Sequence, residues 1–315
     1  MRKRITRELG IHRAKLPFFR DVEPARTTDH PDSAAVARRY RLHVATLALV
    51  RAARRVKHLH TDAYVLSYPK CGRTWLRLML GHTFRTHFGL DDVPLLETKT
   101  FAKRQPGIPR LQFTHDDDPF LRPVDRLQQD KRRYRDRSVI FLVRDPRDVV
   151  VSFYFQMLKR DRIIEGSLGE FVFAERGGLP SIIAFYNIWA RNMNVPRAFL
   201  LLRYEDMHAR PAAELRRVVD FLGLAGIDDA VLAETARFAS FDAMQRMERE
   251  GTAGSFRLTP GDPNDIESFK VRRGVVGGYL DYLSAAEIAR AEALLADHLD
   301  PVYGYGWSPM KAAAG

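Results

Sequence analysis

The chain has one cysteine, Cys71, in 315 residues, which rules out an internal disulfide framework and any cysteine-based zinc site. It lacks a run approaching the roughly 18 consecutive apolar residues that a membrane span requires. The longest candidate, VATLALV at 44–50, is flanked by Arg and His. The basic start, MRKRITRELG, has no apolar segment of the signal-peptide kind. Together these absences point to the cytoplasm. There is no internal repeat or low-complexity tract, which excludes a solenoid. The nucleotide-binding pattern G-x-x-x-x-G-K-[ST] is also missing, which disfavours an ordinary kinase or NTPase.

What is present is an apolar content of 45%, enough for a substantial core. The formal charge of +12 and a pI near 9.9 call for an anionic partner: nucleic acid, a membrane surface or a highly charged small cofactor. Much of the excess lies in the leader and in KRRYRDR at 131–137, read as a solvated basic face. Residues 34–60 have helical spacing, with Leu42, Val44, Leu47, Leu49 and Val50 opposed to a basic side. Such a helix caps a domain or makes peripheral contact with an anionic membrane. The expected organisation is a basic leader and amphipathic helix over 1–60, one domain over 61–308 and a tail over 309–315.

From Tyr64 onward strand-like runs alternate with helical patterns: YVLSY, a helix over Thr74–Phe88, SVIFLVR at 138–144, a helix over Arg147–Leu158, and FLLLRY at 199–204. Continuous apolar runs of this length suit strands buried on both faces of a parallel sheet. The fold class is therefore α/β, a P-loop-like three-layer fold with a central, mainly parallel sheet flanked by helices. Two further amphipathic segments, 214–224 and 286–299, read as helices. Between them residues 251–269 carry Gly, Pro, Asn and Asp without periodicity and read as a long functional loop.

Three segments carry chemistry. SYPKCGRTWL at 67–76 places a Pro/Lys/Gly turn between a strand and a helix, the layout of a phosphate cradle. Gly72 would let the backbone approach an anion and Lys70 adds a mobile positive charge. VIFLVRDPRDVVVSFY at 139–154 repeats strand, polar turn and helix. Arg144 stands at the strand end and Ser152 about two helical turns on, within reach of one phosphate; an arginine there also serves simply to pair with Asp145 or Asp148. FKVRRGVVGGYLDYLS at 269–284 sets consecutive arginines before a glycine turn, a second anion grip, although surface arginines are commonly just solvated.

In this order the three segments resemble the sulfotransferases that use 3′-phosphoadenosine 5′-phosphosulfate (PAPS), over about residues 62–285. YPKCGRTW resembles the family's 5′-phosphosulfate loop, RDPRDVVVS its 3′-phosphate motif, and RRGVVGG its C-terminal RKGxxGD motif. The resemblance implies that Lys70, Cys71, Gly72, Arg73, Thr74 and Trp75 surround the 5′-phosphosulfate and adenine. Arg144 and Ser152 would then hold the 3′-phosphate, with further phosphate contacts from Arg272, Arg273 and Gly274. Tyr204, Ser240, Phe241 and Met244 resemble adenine-contacting positions.

The segment IPRLQFTHDDDPFLRP at 108–123 resembles the one that carries the family's histidine base, which makes His115 the catalytic candidate beside Lys70. A pKa near 6.5 suits a base that takes an acceptor's proton around neutrality. The run Asp116, Asp117, Asp118 reads as an exposed turn or cap rather than a metal site, since three adjacent acids cannot all face one ion. No metal and no nucleic-acid partner are expected; PAPS is the implied cofactor, with 3′-phosphoadenosine 5′-phosphate (PAP) as product. The acceptor would be a small molecule, lipid or glycan, and Phe101, Phe113, Phe120, Phe153 and Phe155 hint at an apolar or ring-bearing one.

The chain departs from the family at several positions. Cys71 replaces a small residue such as Ser, which on one reading only conserves size; on the other, a helix N-terminus beside lysine would lower the thiol pKa, which makes oxidation sensitivity a hypothesis to test. Phe113 stands where many members have a lysine, Gly278 replaces Asp, and Tyr279 replaces Trp. The C-terminal dimerisation motif is not evident, so no oligomeric state is implied. Two alternatives remain at this level: a small-molecule kinase with a degenerate phosphate loop, and a non-catalytic protein that binds nucleotides or anionic surfaces.

Overall fold

The computed structural model describes residues 60–305 except 163. The basic segment read over 34–60, apart from its last residue, lies outside the described residues, as does the tail at 309–315.

Four parallel strands, β1 (Ala63–Leu66), β2 (Leu111–Thr114), β3 (Ser138–Val143) and β4 (Ala198–Arg203), form a sheet in the order β2-β1-β3-β4. Register pairs Val65 with Phe113 on one side and Ile140 on the other, while Val143 meets Arg203. Burial follows position in the sheet. Every residue of AYVL and SVIFLV is buried, whereas the edge strands β2 and β4 are mostly half-buried. This is why the two central strands read as unbroken apolar runs.

The sheet is flanked by two sets of helices. One contains α1 (Arg73–Phe88), α2 (Thr98–Arg104), α7 (Pro211–Phe221) and α8 (Asp229–Phe238). The other contains α3 (Pro146–Phe155), α4 (Leu168–Val172), α5 (Leu179–Ala190) and α10 (Ala285–His298). Short α6 (Tyr204–Ala209) follows β4, and α9 (Phe241–Glu250) precedes the irregular stretch 251–269, which holds only two 3-10 turns.

Local chemistry sets the helix ends. At α3, Asp145 accepts from the Arg147 N–H at 2.9 Å and Pro146 takes the first turn, where its missing N–H costs nothing. Ser284 and Glu287 cap α10 reciprocally. Gly89, at φ 62°, ends α1.

Several elements escape the sequence reading: β2 and α5, and the helices α2, α4, α6, α8 and α9. β2 is short and only Leu111 is buried, so it lacks an apolar run. α5 is buried almost all round and gives no polar stripe; its Trp189 stacks on Phe141 of β3 at 5.4 Å. The second helical segment also changes character: α3 ends at Phe155 and continues as one π-helical turn, Gln156–Arg160. Such turns are frequent at functional sites.

The order β2-β1-β3-β4 means the chain leaves β1 to one side and returns to β3 on the other. The crevice beyond the carboxyl ends of β1 and β3 is thus the switch point where open α/β sheets bind ligands.

Candidate active site

The loop after β1 enters that crevice. Lys70 has φ 73° and Gly72 φ 92°, so the backbone is left-handed on both sides of Cys71 before α1 begins. A Cβ at Gly72 would lie 2.8 Å from the Tyr204 ring, which makes glycine the residue this turn requires. Across the crevice, Gly274 (φ 65°) faces Phe241, whose ring would be 2.2 Å from an added Cβ.

A cavity of about 350 Å³ opens here. Lys70, Gly72, Arg73, Thr74, Trp75, His115, Arg144 and Ser152 line it, as do Tyr204, Ser240, Phe241, Met244, Arg272, Arg273 and Gly274. Positions read from six separate stretches of sequence therefore converge. Cys71 does not line the cavity. Its side chain is fully buried, with Sγ 3.4 Å from the Tyr186 hydroxyl, and burial pushes the thiol up to about 12. The thiol-activating effect expected of a helix N-terminus is overridden because the sulfur turns into the core.

His115 lies at the end of β2. Its Nδ1 is 2.8 Å from the Ser67 carbonyl oxygen and can only donate to it. Nε2 is thereby the acceptor, and Arg73 Nη2 donates to it at 2.6 Å. Burial, then repulsion from Arg73, hold the imidazole well below its ordinary value, against the Ser67 bond. Arg73 itself is lowered to about 10 by burial, so it stays a cation at neutral pH, and its Nη1 is buried without a partner.

Arg144 does pair with Asp148, at 3.3 Å, and also donates to the Val275 carbonyl oxygen at 2.8 Å. Its guanidinium lies 4.3 Å from the Tyr204 ring centroid, and Nε is buried without a partner. Asp148 accepts from the N–H groups of Gly277 and Tyr279 at 2.9 and 3.0 Å, which ties the RRG turn to α3. Arg272 and Arg273 are less free than the sequence implies. Arg272 pairs with Glu267 at 2.8 Å, also contacts the Tyr282 hydroxyl and lies over Phe155, while Arg273 pairs with Asp281 at 2.6 Å. Trp75 is fixed by its indole N–H, which donates to the Ala239 carbonyl oxygen at 2.8 Å.

The acidic run is a turn that is exposed only in part: Asp118 stands at the cap position of the 3-10 turn Pro119–Leu121, whereas Asp116 faces inward. Asp116 is buried and accepts from Lys131 at 2.6 Å, from the Tyr134 hydroxyl at 2.7 Å and from the Trp189 indole at 3.0 Å, with Arg133 also bonded to it. Lys131, expected on a solvated face, is only 2% exposed. This network anchors the three consecutive left-handed residues Asp116, Asp117 and Asp118 directly behind His115. No cluster of His, Cys, Asp and Glu fit to hold a metal occurs among the described residues.

Of the aromatic acceptor candidates, Phe101 and Phe153 are core residues, while Phe113 is covered by Arg77 at 4.0 Å. Phe120 remains beside His115, the two ring centroids 6.1 Å apart. Sequence reasoning missed Lys270 and Gln156, which also line the cavity. Lys270 stands next to the arginine pair but outside its motif, and Gln156 belongs to the π turn. Neither carries a signal in sequence.

Fold and cavity define an α/β protein that presents buried cations, a glycine turn and a neutral histidine at its switch point. The chain belongs to the sulfotransferase family: residues 60–301 match the family model described as Sulfotransferase domain. Flavonol 3-sulfotransferase of Flaveria bidentis is 24% identical over 274 residues, covering 76% of this chain and 81% of that protein. Sulfotransferase 1B1 of Canis lupus familiaris is 25% identical over 248 residues, covering 72% and 79%. Among solved structures, mouse sulfotransferase SULT7A1 complexed with PAP matches with a TM-score of 0.54 at 20% identity, over 76% of this chain and 84% of that one. That likeness is one of fold.

Proposed function

We propose that the protein transfers a sulfuryl group from PAPS to a hydroxyl or amine of a small acceptor, with His115 as general base. The observation that carries this reading is the neutral Nε2 of His115 facing the same cavity as the Lys70 turn.

The cavity's residues fit the donor. Arg73 and Arg144 each keep a buried N–H without a partner, and Gly72 and Gly274 leave the space beside Tyr204 and Phe241 that any side chain would fill. Tyr204, Phe241 and Met244 supply apolar faces for an adenine. Arg144 and Ser152 hold the 3′-phosphate, and Lys70 with the α1 N-terminus holds the phosphosulfate. The donor supplies an activated sulfuryl group whose transfer needs in-line placement and neutralised charge more than covalent work.

Lys70 is held well below the usual lysine range, first by burial and then by repulsion from Lys270 and Arg160. A bound anion reverses that penalty and favours the ammonium, which then stabilises the oxygen that leaves. His115 takes the acceptor's proton at Nε2 while Ser67 holds the opposite ring edge.

The relatives include an enzyme whose name specifies a flavonol, which supports a small-molecule acceptor, and Phe120 beside His115 suits one bearing a ring. The test is ³⁵S-labelled PAPS incubated with a host metabolite extract. Wild type yields a labelled product, and His115→Ala loses about 10²- to 10⁴-fold in rate with PAP affinity retained. Equal labelling by both proteins sinks the base assignment, and no PAP binding by wild type sinks the function.

A further inference from the structure

We propose that Lys270 is a second catalytic lysine, which meets the transferring sulfuryl oxygens while Lys70 serves the oxygen that group leaves. This rests on the sulfotransferase reading above and adds a residue to it.

Lys270 lines the cavity from the segment leading into the RRG turn, together with Lys70. Its backbone is clamped: the N–H groups of Lys270 and Val271 donate to the two carboxylate oxygens of Glu248 at 2.7 and 2.8 Å. Glu248 is fully buried and also takes Arg160 at 3.1 Å. The acid in contact with Lys270 is thus committed to its backbone and to another cation. Asp161, the other acid acting on it, accepts from Gln156 at 3.2 Å. Among the described residues the Lys270 ammonium has no hydrogen-bond or ion-pair partner.

An ammonium held this way destabilises the empty protein. Burial, then Arg160 and Arg73, bring Lys270 down to about 8, against Asp161 and Glu248. A lysine kept only for packing would be replaced by an apolar side chain without that penalty. The position makes physical sense when an anion binds beside it. The anion's location follows from the cavity groups that share the space with Lys270. Lys270 lines the same cavity as Lys70 and His115, and its charge acts on both, so it faces the groups of the proposed reaction. Arg144, by contrast, is gathered with Tyr204 and Asp148.

The step balances as follows. The acceptor's proton passes to His115 Nε2 and the acceptor oxygen or nitrogen forms a bond to sulfur. The sulfur–oxygen bond to the phosphate breaks, and its electron pair stays on the phosphate oxygen beside Lys70. The three sulfuryl oxygens travel with the sulfur through a flattened transition state, and Lys270 donates to them most strongly in that arrangement.

The test combines variants with two readouts. Lys270→Met should lower labelling from ³⁵S-labelled PAPS by about 10²-fold while PAP affinity by calorimetry stays within about twofold of wild type. Lys270→Arg, which keeps the charge, should recover part of the rate. Independently, amine acylation of the folded wild type, mapped by mass spectrometry across pH, should show Lys270 titrating near 8. Adding inorganic sulfate at about twice its Kd to the PAP-loaded protein should slow that acylation roughly threefold. Turnover of Lys270→Met within about threefold of wild type, a loss of PAP affinity that parallels the loss of rate, or acylation indifferent to sulfate each overturns the proposal. A wild type that binds no PAP would instead overturn the reading beneath it.

Discussion

Arg73 Nη2 donates to His115 Nε2 at 2.6 Å while His115 Nδ1 donates to the Ser67 carbonyl oxygen at 2.8 Å. The ring is therefore neutral, its lone pair held by a cation that, in the proposed mechanism, an acceptor replaces. Because burial and Arg73 hold its pKa well below 6.5, the acid limb of kcat/KM should lie well below that value, with equal rates at pH 6 and 7. Arg73→Met removes one cause of the depression and should move the limb upward. A wild-type limb centred at 6.5 or above would contradict this. Stability has the same sign: the unfolded histidine binds a proton near 6.5 and the folded one does not, so stability falls as pH drops below that value.

Gly274→Ala tests the cradle. An added Cβ lies 2.2 Å from Phe241, at a residue of φ 65°. Strain of about 1–3 kcal/mol and a displaced ring should weaken PAP binding by at least about tenfold without unfolding the protein. Calorimetry with PAP checks this, and unchanged affinity would exclude Phe241 from the nucleotide site.

Asp116→Ala leaves Lys131 buried without its carboxylate. Breaking a buried pair in this way costs about 3–5 kcal/mol, to be read in urea unfolding. Burial raises the Asp116 pKa, but Lys131 and Arg133 outweigh it, so the carboxyl is held below its ordinary value. A loss under about 1 kcal/mol would show that the network does not hold the His115 loop.

The Cys71 thiol should be inert in the folded protein, since it is fully buried and raised to about 12. Mild thiol oxidants should leave turnover unchanged. Rapid modification of the native protein, measured with a colorimetric thiol reagent, would contradict the buried geometry.

What could be read from sequence was what rests on local chemistry. The apolar runs around Val65 and Ile140 announce strands buried on both faces, and a lysine-glycine turn before a helix announces an anion cradle. What could not be read depends on contacts between distant segments. Asp116 looks like part of a solvated acidic run until Lys131 and Trp189 are folded against it. Cys71 looks activated by its helix until the core encloses it. Lys270 looks like one basic residue among several until Glu248 is seen to be occupied by its backbone. Burial and partner choice invert the meaning of each, and neither is a property of a segment taken alone.

The claim that the cavity serves a 3′-phosphorylated nucleotide is tested most directly by calorimetric titration with PAP and with adenosine 5′-phosphate, which lacks the 3′-phosphate. With Arg144 and Ser152 lining that end of the cavity, charge-assisted contacts worth about 1.5–3 kcal/mol each predict that PAP binds about 10²-fold more tightly. Equal affinity for the two nucleotides would contradict the account.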